Sequence, residues 1–463
     1  MPTIATLAVH GHFYQPPRED PFTGVMPVEP EAAPYHDFNE KITAECYRPL
    51  VEHGYFDRLS YNIGPTLIGW LSRYAPDVYQ RIVDADKRQA AALGVGNAIA
   101  QPAHHTILPL ARHRDKLTQV RWGIASFRHR FGRQPRGMWL PEMGVDLDTL
   151  AVLSEEGLSF TILGQHQVKG DLRAGAGPYR VRLPHGGYFA VFVRDNALSN
   201  DIAFSLPRLD AARWTNDALA GRKRQLTLIA TDGETFGHHH RRGIDFLGKL
   251  LESGDSAYVV LSLTDYLRRN PPTIDIDVRQ GTAWSCDHGL ARWDGGCPCT
   301  PGDASWKPAL RSALDLLADE IDAVYLHETR RVLEQPWRLI DESIDVVLGL
   351  TDMRTLVDEH AKRVLNVGHS QRIGHLVQAQ LHRQRMFTSC AWFFEDLDRF
   401  EPRYVIANAS RAIHLCRQAT GADLGPVFRE TLLPVRSNRV PLTGADLYDE
   451  LVSRRDALSV THH

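Results

Sequence analysis

Leu226-Thr-Leu-Ile-Ala-Thr-Asp-Gly-Glu-Thr-Phe-Gly-His-His-His240 sets the reading of this chain. Its first half is a short apolar run of the kind a buried parallel strand needs, and the run stops in two acids and three histidines. Trp139-Leu-Pro-Glu142 closes a second short apolar run in the same way. Two carboxylates carried by separate strand ends can face each other across a pocket, the arrangement that cleavage of a glycosidic bond requires.

The same pattern repeats along the chain. Strands are expected at Thr3 to Val9, Leu59 to Ile63, Gly94 to Ile99, Gly137 to Leu140, Leu158 to Leu163, Leu226 to Ala230 and Ala257 to Leu261. Amphipathic stretches with apolar spacing near three and four lie between them, among them Pro76 to Leu93, Arg114 to Phe131 and Leu147 to Glu156. Alternating strands and helices argue for a parallel sheet, and this many units for a closed or nearly closed α/β barrel. Polar residues gather at or just past the strand ends: His10, His12, Asn62, Asn97, Glu142, Gln165, His166 and Asp232. In a β/α barrel the C-terminal strand ends form the working face. Tyr179 to Arg194, centred on Pro184-His-Gly-Gly187, reads as an inserted hairpin.

Beyond residue 270 the pattern changes. Asn270 to Asp277 reads as an exit from the barrel, and 271–304 as a connecting loop whose later part is rich in Trp, Gly and Cys. From 305 to 463 the pattern is helical, with Trp306 to His327, Pro336 to Leu350, Arg372 to Phe387 and Arg403 to Arg417 as the clearest helices of a bundle. The tail after Arg455 is expected to fray.

Composition excludes several classes. With 463 residues and 43% hydrophobic content the chain can bury a large core. A net charge of −3 and the lack of long Lys/Arg runs argue against nucleic acid and anionic membrane as partners. No apolar run reaches the roughly 18 residues of a membrane span. The opening Met-Pro-Thr-Ile-Ala-Thr lacks the basic region of a secretory signal, and six cysteines in so long a chain do not make a disulfide scaffold, so the cytoplasm is the expected compartment.

Five ordered segments carry a family likeness: HGHFYQPP at His10 to Pro17, HHTILPL at His104 to Leu110, GMWLPE at Gly137 to Glu142, ATDGETFGHHH at Ala230 to His240 and TAWSCDHG at Thr282 to Gly289. In order and spacing the chain resembles glycoside hydrolase family 57. Tyr35 to Glu40, Ile42 to Cys46 and Thr388 to Phe394 resemble the bacterial branch that carries domain of unknown function 3536, whose members are often longer at the C-terminus. The resemblance implies a (β/α)7 barrel, an incomplete TIM-like barrel, followed by an α-helical bundle. It also implies retaining chemistry on α-glucans, of amylase, 4-α-glucanotransferase or branching type, with no cofactor.

Carried over position by position, the resemblance makes Glu142 the nucleophile and Asp232 the general acid/base, and places His10, His12, His105, Trp139, His238, Trp284 and His288 at the sugar. Retaining chemistry expects the two carboxyls about 5 to 5.5 Å apart, Glu142 ionised and Asp232 holding its proton through burial and the charge of Glu142. Glu234, two residues from Asp232, is the rival acid, and spacing alone does not separate them. Neutral imidazoles can exchange hydrogen bonds with hydroxyls, and the plain alternative for each is a structural histidine. Trp293, Phe13 and Phe236 are weaker candidates for a sugar face, core packing being the alternative for any aromatic ring.

Cys286, His288, Cys297 and Cys299 could make a tetrahedral zinc set, but Cys-x-Cys is not the usual knuckle spacing, so unliganded reduced thiols are expected and no metal is assigned. Two other functions compete. One is a metal-dependent polysaccharide hydrolase or deacetylase using Asp232 with His10, His12 and His238 to His240 as ligands. The other is a noncatalytic glucan-binding protein.

Overall fold

The computed structural model describes residues 4–219, 222, 225–252 and 258–460, with side chains as far as 454. The chain forms two compact units. One comprises Met1–Pro17, Val28–Ala103 and Phe127–Ser285; the other comprises Arg18–Pro27, His104–Ser126 and Cys286–His463.

The first unit is built on parallel strands. β1 (Ala5–Phe13) pairs with β2 (Ser60–Ile63) on one side and β8 (Leu226–Asp232) on the other, and β2 pairs with β3 (Ala98–Ile99). Met138 bridges Ala100, and Gly137 bridges β4 (Phe160–Gly164). β4 in turn lies parallel to β7 (Tyr188–Arg194). At the end of β7, Asp195 N–H donates to Leu228 O of β8 at 2.9 Å, which returns the path to β8. The result is an incomplete α/β barrel. β9 (Tyr258–Val260) joins the start of β1; the Ala257 end of the expected strand lies outside the described residues. β5 (Val168–Gly170) and β10 (Ile276–Val278) form a separate antiparallel pair, so the exit segment ends in a strand.

β1 runs four residues past Val9, and His10 and His12 therefore lie inside it. The polar side chains do not end the strand because its backbone ladder continues on both sides to His12, opposite Asn62 and Asp232. The hairpin of β6 (Tyr179–Arg182) and β7 is present, and β7 also serves as a barrel strand, which raw alternation does not reveal. Helices Pro76–Leu93 and Leu147–Glu155 form where the apolar spacing places them, the second capped by Asp146, which accepts from Thr149 N at 2.7 Å.

In the second unit helices run Trp306–Thr329, Val367–Arg385 and Phe400–Thr420. Helix Val367–Arg385 starts five residues before Arg372 because Asn366 caps it, accepting from His369 N at 2.9 Å. The expected helix Pro336 to Leu350 breaks at Ser343 into Pro336–Glu342 and Ile344–Val347. The final helix runs Gly444–Val460, past Arg455; the rest of the tail expected to fray lies outside the described residues. Sequence boundaries at 270 and 304 miss that 18–27 and 104–126 group with this unit. Asp115 forms a two-pronged pair with fully buried Arg383 at 2.9 and 3.0 Å, and periodicity cannot reveal such a partner 268 residues away. Among the described residues, no helix is long and apolar enough to cross a membrane.

Candidate active site

In-register parallel pairing sets His12, Asn62 and Asp232 at one level across β2, β1 and β8, on the same face of the sheet. The Asn62 amide organises this row. Its Nδ2 donates to Gln101 Oε1 at 2.6 Å and to His12 Nδ1 at 2.9 Å, while its Oδ1 accepts from His10 Nε2 at 3.1 Å. His10 Nδ1 pairs with the Ser60 hydroxyl at 3.0 Å, and burial pushes the ring down to about 3, so it is neutral at all ordinary pH. Both imidazoles stack on Trp139, with ring centroids 5.2 Å away for His10 and 4.6 Å for His12. Gly233 is needed beside this row, since a Cβ there would lie 2.1 Å from the Phe13 ring. Its lack of a side chain lets the end of β8 turn down onto β1.

Glu142 sits in a tight turn after Trp139-Leu-Pro141. It and Met143 have φ of +55° and +50°, a left-handed conformation that costs a non-glycine residue about 1 to 2 kcal/mol each. Surrounding bonds hold the turn: Met143 N to Leu140 O at 2.8 Å, Trp284 N to Glu142 O at 2.9 Å, and Gln167 Nε2 to Met143 O at 2.7 Å. The turn delivers Glu142 Oε2 to two donors, Trp284 Nε1 at 2.9 Å and Ser285 Oγ at 2.6 Å.

Asp232 is pushed up from 3.8 to about 7, first by burial and then by the charge of Glu142, with Arg194 pulling the other way. Part of its surface stays open. Among the described residues it accepts no hydrogen bond. Glu234 is also pushed up, to about 8, by burial and then by Asp232. The two acids differ in commitment. Glu234 is buried and its Oε1 accepts from Tyr47 Oη at 2.6 Å and Tyr14 N at 3.2 Å, whereas Asp232 presents a carboxyl with no donor among the described residues.

The expected contact residues divide. Trp284 is partly exposed, lies edge-on to Trp139 at 5.2 Å and has the Arg194 guanidinium 5.1 Å from its ring centre. Trp139 has no exposed surface and stands behind the histidines, so its flat face is already taken. Phe13, Phe236 and Trp293 are equally enclosed and pack as core. His238 is half-buried, its Nδ1 2.6 Å from Glu45 Oε2. His105 is buried in the second unit, where its Nδ1 pairs with Ser389 Oγ at 2.6 Å. His288 also belongs to the second unit, with Nδ1 3.3 Å from Cys299 Sγ.

Asp232 and the histidines at 10, 12 and 238 to 240 do not gather as a ligand set. His10 is spent on Ser60 and Asn62, His238 on Glu45, and His240 donates to Ala203 O at 2.8 Å. Among the described residues, three or more metal-type donors converge only at Cys286, His288, Cys297 and Cys299. The deacetylase-like arrangement is therefore not formed.

Sequence reasoning missed Ser285, Arg194 and Tyr47. Arg194 carried a usable signal, a charged residue ending an apolar strand, as at Asp232. It is buried and donates to Ala230 O at 2.9 Å. Ser285 and Tyr47 carried none, because each acts on a carboxylate more than 100 residues away in sequence.

Residues 30–278 match Glycosyl hydrolase family 57, and residues 303–461 match Domain of unknown function (DUF3536). The chain belongs to glycosyl hydrolase family 57. Alpha-amylase 1 of Dictyoglomus thermophilum is 23% identical over 205 residues, which is 43% of this chain and 29% of that relative. The fold resembles an exo-type maltose-forming amylase from Pyrococcus sp. ST04, with TM-score 0.75, 16% identity, and coverage of 92% of this chain and 82% of the other. It also resembles a branching enzyme from Pyrococcus horikoshii, with TM-score 0.59, 16% identity, and coverage of 98% and 94%.

Proposed function

We propose that this chain is a retaining glycosidase or transglycosylase acting on α-glucan, with Glu142 as nucleophile and Asp232 as acid/base. The observation that carries the reading is the divergence of the two carboxylates. Glu142 Oε2 is held by two donors, as suits an anion, while Asp232 is raised to about 7 by burial and by that anion.

Glu142 attacks the anomeric carbon and Asp232 gives its proton to the departing oxygen, leaving a glycosyl ester on Glu142 and a carboxylate on Asp232. Ester formation removes the charge on Glu142 that helped raise Asp232, so Asp232 becomes more acidic. It then takes a proton from water or a sugar hydroxyl as that oxygen attacks the anomeric carbon, breaking its bond to Glu142 and releasing Glu142 as a carboxylate. Water gives hydrolysis and a sugar gives transfer. The exposed part of Trp284 offers an apolar edge to a pyranose ring, with His12 supplying a polar partner and Asn62 holding that imidazole in place.

α-Glucan as substrate is supported by what the related amylases and branching enzyme are named for. Incubation with maltoheptaose, amylose and amylopectin, with products resolved by size and linkage, tests it. Shortened chains identify an amylase, redistributed lengths a glucanotransferase, and new α-1,6 links a branching enzyme. Wild-type turnover by a folded Glu142→Gln variant would overturn the assignment of the nucleophile.

A further inference from the structure

The stretch from Cys286 to Ser305 contains neither helix nor strand, and segments of about this length without structure of their own are uncommon in compact proteins. Something other than a backbone ladder has to hold it. Tight turns hold part of it: Trp293 N–H donates to Leu290 O at 2.9 Å and Gly295 N–H to Ala291 O at 3.1 Å. Gly296, at φ +76°, then reverses the chain where a Cβ would press on Ala304 O at 2.9 Å. These turns bring Cys286-Asp-His288 face to face with Cys297-Pro-Cys299.

The Cys286 sulfur lies 3.6 Å from that of Cys297 and 3.8 Å from that of Cys299, and His288 Nδ1 lies 3.3 Å from Cys299 Sγ. All four donor atoms fall within 4.8 Å of one another. A disulfide needs about 2.05 Å between sulfurs, so the cysteines are free thiols. A tetrahedron with zinc–sulfur bonds of about 2.3 Å and a zinc–nitrogen bond of about 2.0 Å has edges of about 3.5 to 3.8 Å. The observed separations already approach those edges.

The surroundings suit a net negative centre. Lys307 is buried and donates to Thr300 Oγ1 at 3.1 Å; burial and then Arg292 push its ammonium down to about 8, with Cys297, Cys286 and Cys299 pulling the other way. Arg292 is also buried, with Nη1 donating to Phe393 O at 3.0 Å. One Zn²⁺ with three thiolates and a neutral imidazole carries a net charge of −1, which these two cations complement.

We propose that Cys286, His288, Cys297 and Cys299 bind one structural zinc ion that staples this loop. Four protein donors close the coordination sphere, leaving no position for a substrate or water. Binding displaces three thiol protons, and the soft sulfur set selects zinc over magnesium or calcium. The assignment gives His288 a ligand's role in place of the sugar contact expected from sequence.

The test is metal analysis of the full chain expressed with zinc and purified without chelator. The expected result is one zinc per chain, surviving gel filtration. His288→Ala, which alters only an exposed ligand, should weaken zinc retention about tenfold or more, and Cys297→Ser with Cys299→Ser should abolish it. Cobalt substitution should give the visible bands of a tetrahedral cobalt–thiolate centre in the wild type and not in the double variant. If the double variant fails to fold, wild-type stoichiometry and His288→Ala decide the matter. Wild-type protein that holds no stoichiometric zinc after incubation with Zn²⁺ overturns the proposal. So does a thiol count of four, rather than all six, after denaturation with chelator, since that reports a disulfide.

Discussion

Asp232→Asn should make the fold more stable than wild type at alkaline pH while abolishing turnover. In the folded chain Asp232 is raised from 3.8 to about 7, so between those values the folded state holds a proton that the unfolded state has lost. Stability from this group is fully present below about pH 4 and is lost as pH rises through about 7. A rise of roughly three pH units, at about 1.4 kcal/mol each, sets a ceiling of about 4 kcal/mol on the cost of ionising Asp232 in place. Its partly open surface lowers this to about 2 kcal/mol. Asparagine has nearly the same shape and no charge, and so escapes the cost. Glu234 acts in the same direction, because the Asp232 charge is the second cause raising it to about 8, and the variant removes that charge. Guanidinium denaturation of both proteins at about pH 4.5 and 8.5 measures the effect. The variant's advantage should grow by about 2 kcal/mol between the two conditions. An advantage that is the same at both, within about 0.5 kcal/mol, would refute the burial argument for Asp232.

Ser285→Ala removes a donor to Glu142 Oε2 and should lower kcat/KM by about 10- to 100-fold, a loss of about 1.5 to 3 kcal/mol, with the fold intact by circular dichroism. Glu234→Gln keeps an acceptor for Tyr47 and Tyr14, so activity should stay within about tenfold of wild type, with the alkaline limb of the kcat/KM profile still near pH 7. Disappearance of that limb would make Glu234 the acid. Asp115→Ala leaves the buried Arg383 guanidinium paired with Asp322 at 2.9 Å but removes its two-pronged partner, and should cost about 1.5 to 3 kcal/mol in denaturant unfolding.

The strand-end acids were legible because a charge directly after an apolar run is costly unless the fold uses it. The strand positions and several helices were legible from the same periodicity. Trp139 shows where that reasoning stops. Its motif context matches a sugar contact, yet the ring is enclosed beneath His10 and His12, and nothing local distinguishes a ring that faces the substrate from one that backs the groups that do. The Asn62 network was half legible: the residue stood out at a strand end, but its bonds to His10 and His12 depend on the register of β1 against β2. Cys286 to Cys299 was discounted on linear spacing, whereas the convergence of its donors comes from turns that spacing does not encode.

The covalent ester proposed on Glu142 is tested most directly by peptide mapping with mass spectrometry after incubation with a 5-fluoro-α-glucosyl fluoride, whose fluorines slow hydrolysis of the intermediate. One fluoroglucosyl adduct on Glu142, absent from Glu142→Gln, is the predicted result. An adduct on Asp232 or Glu234, or first-formed products of inverted anomeric configuration, would contradict it.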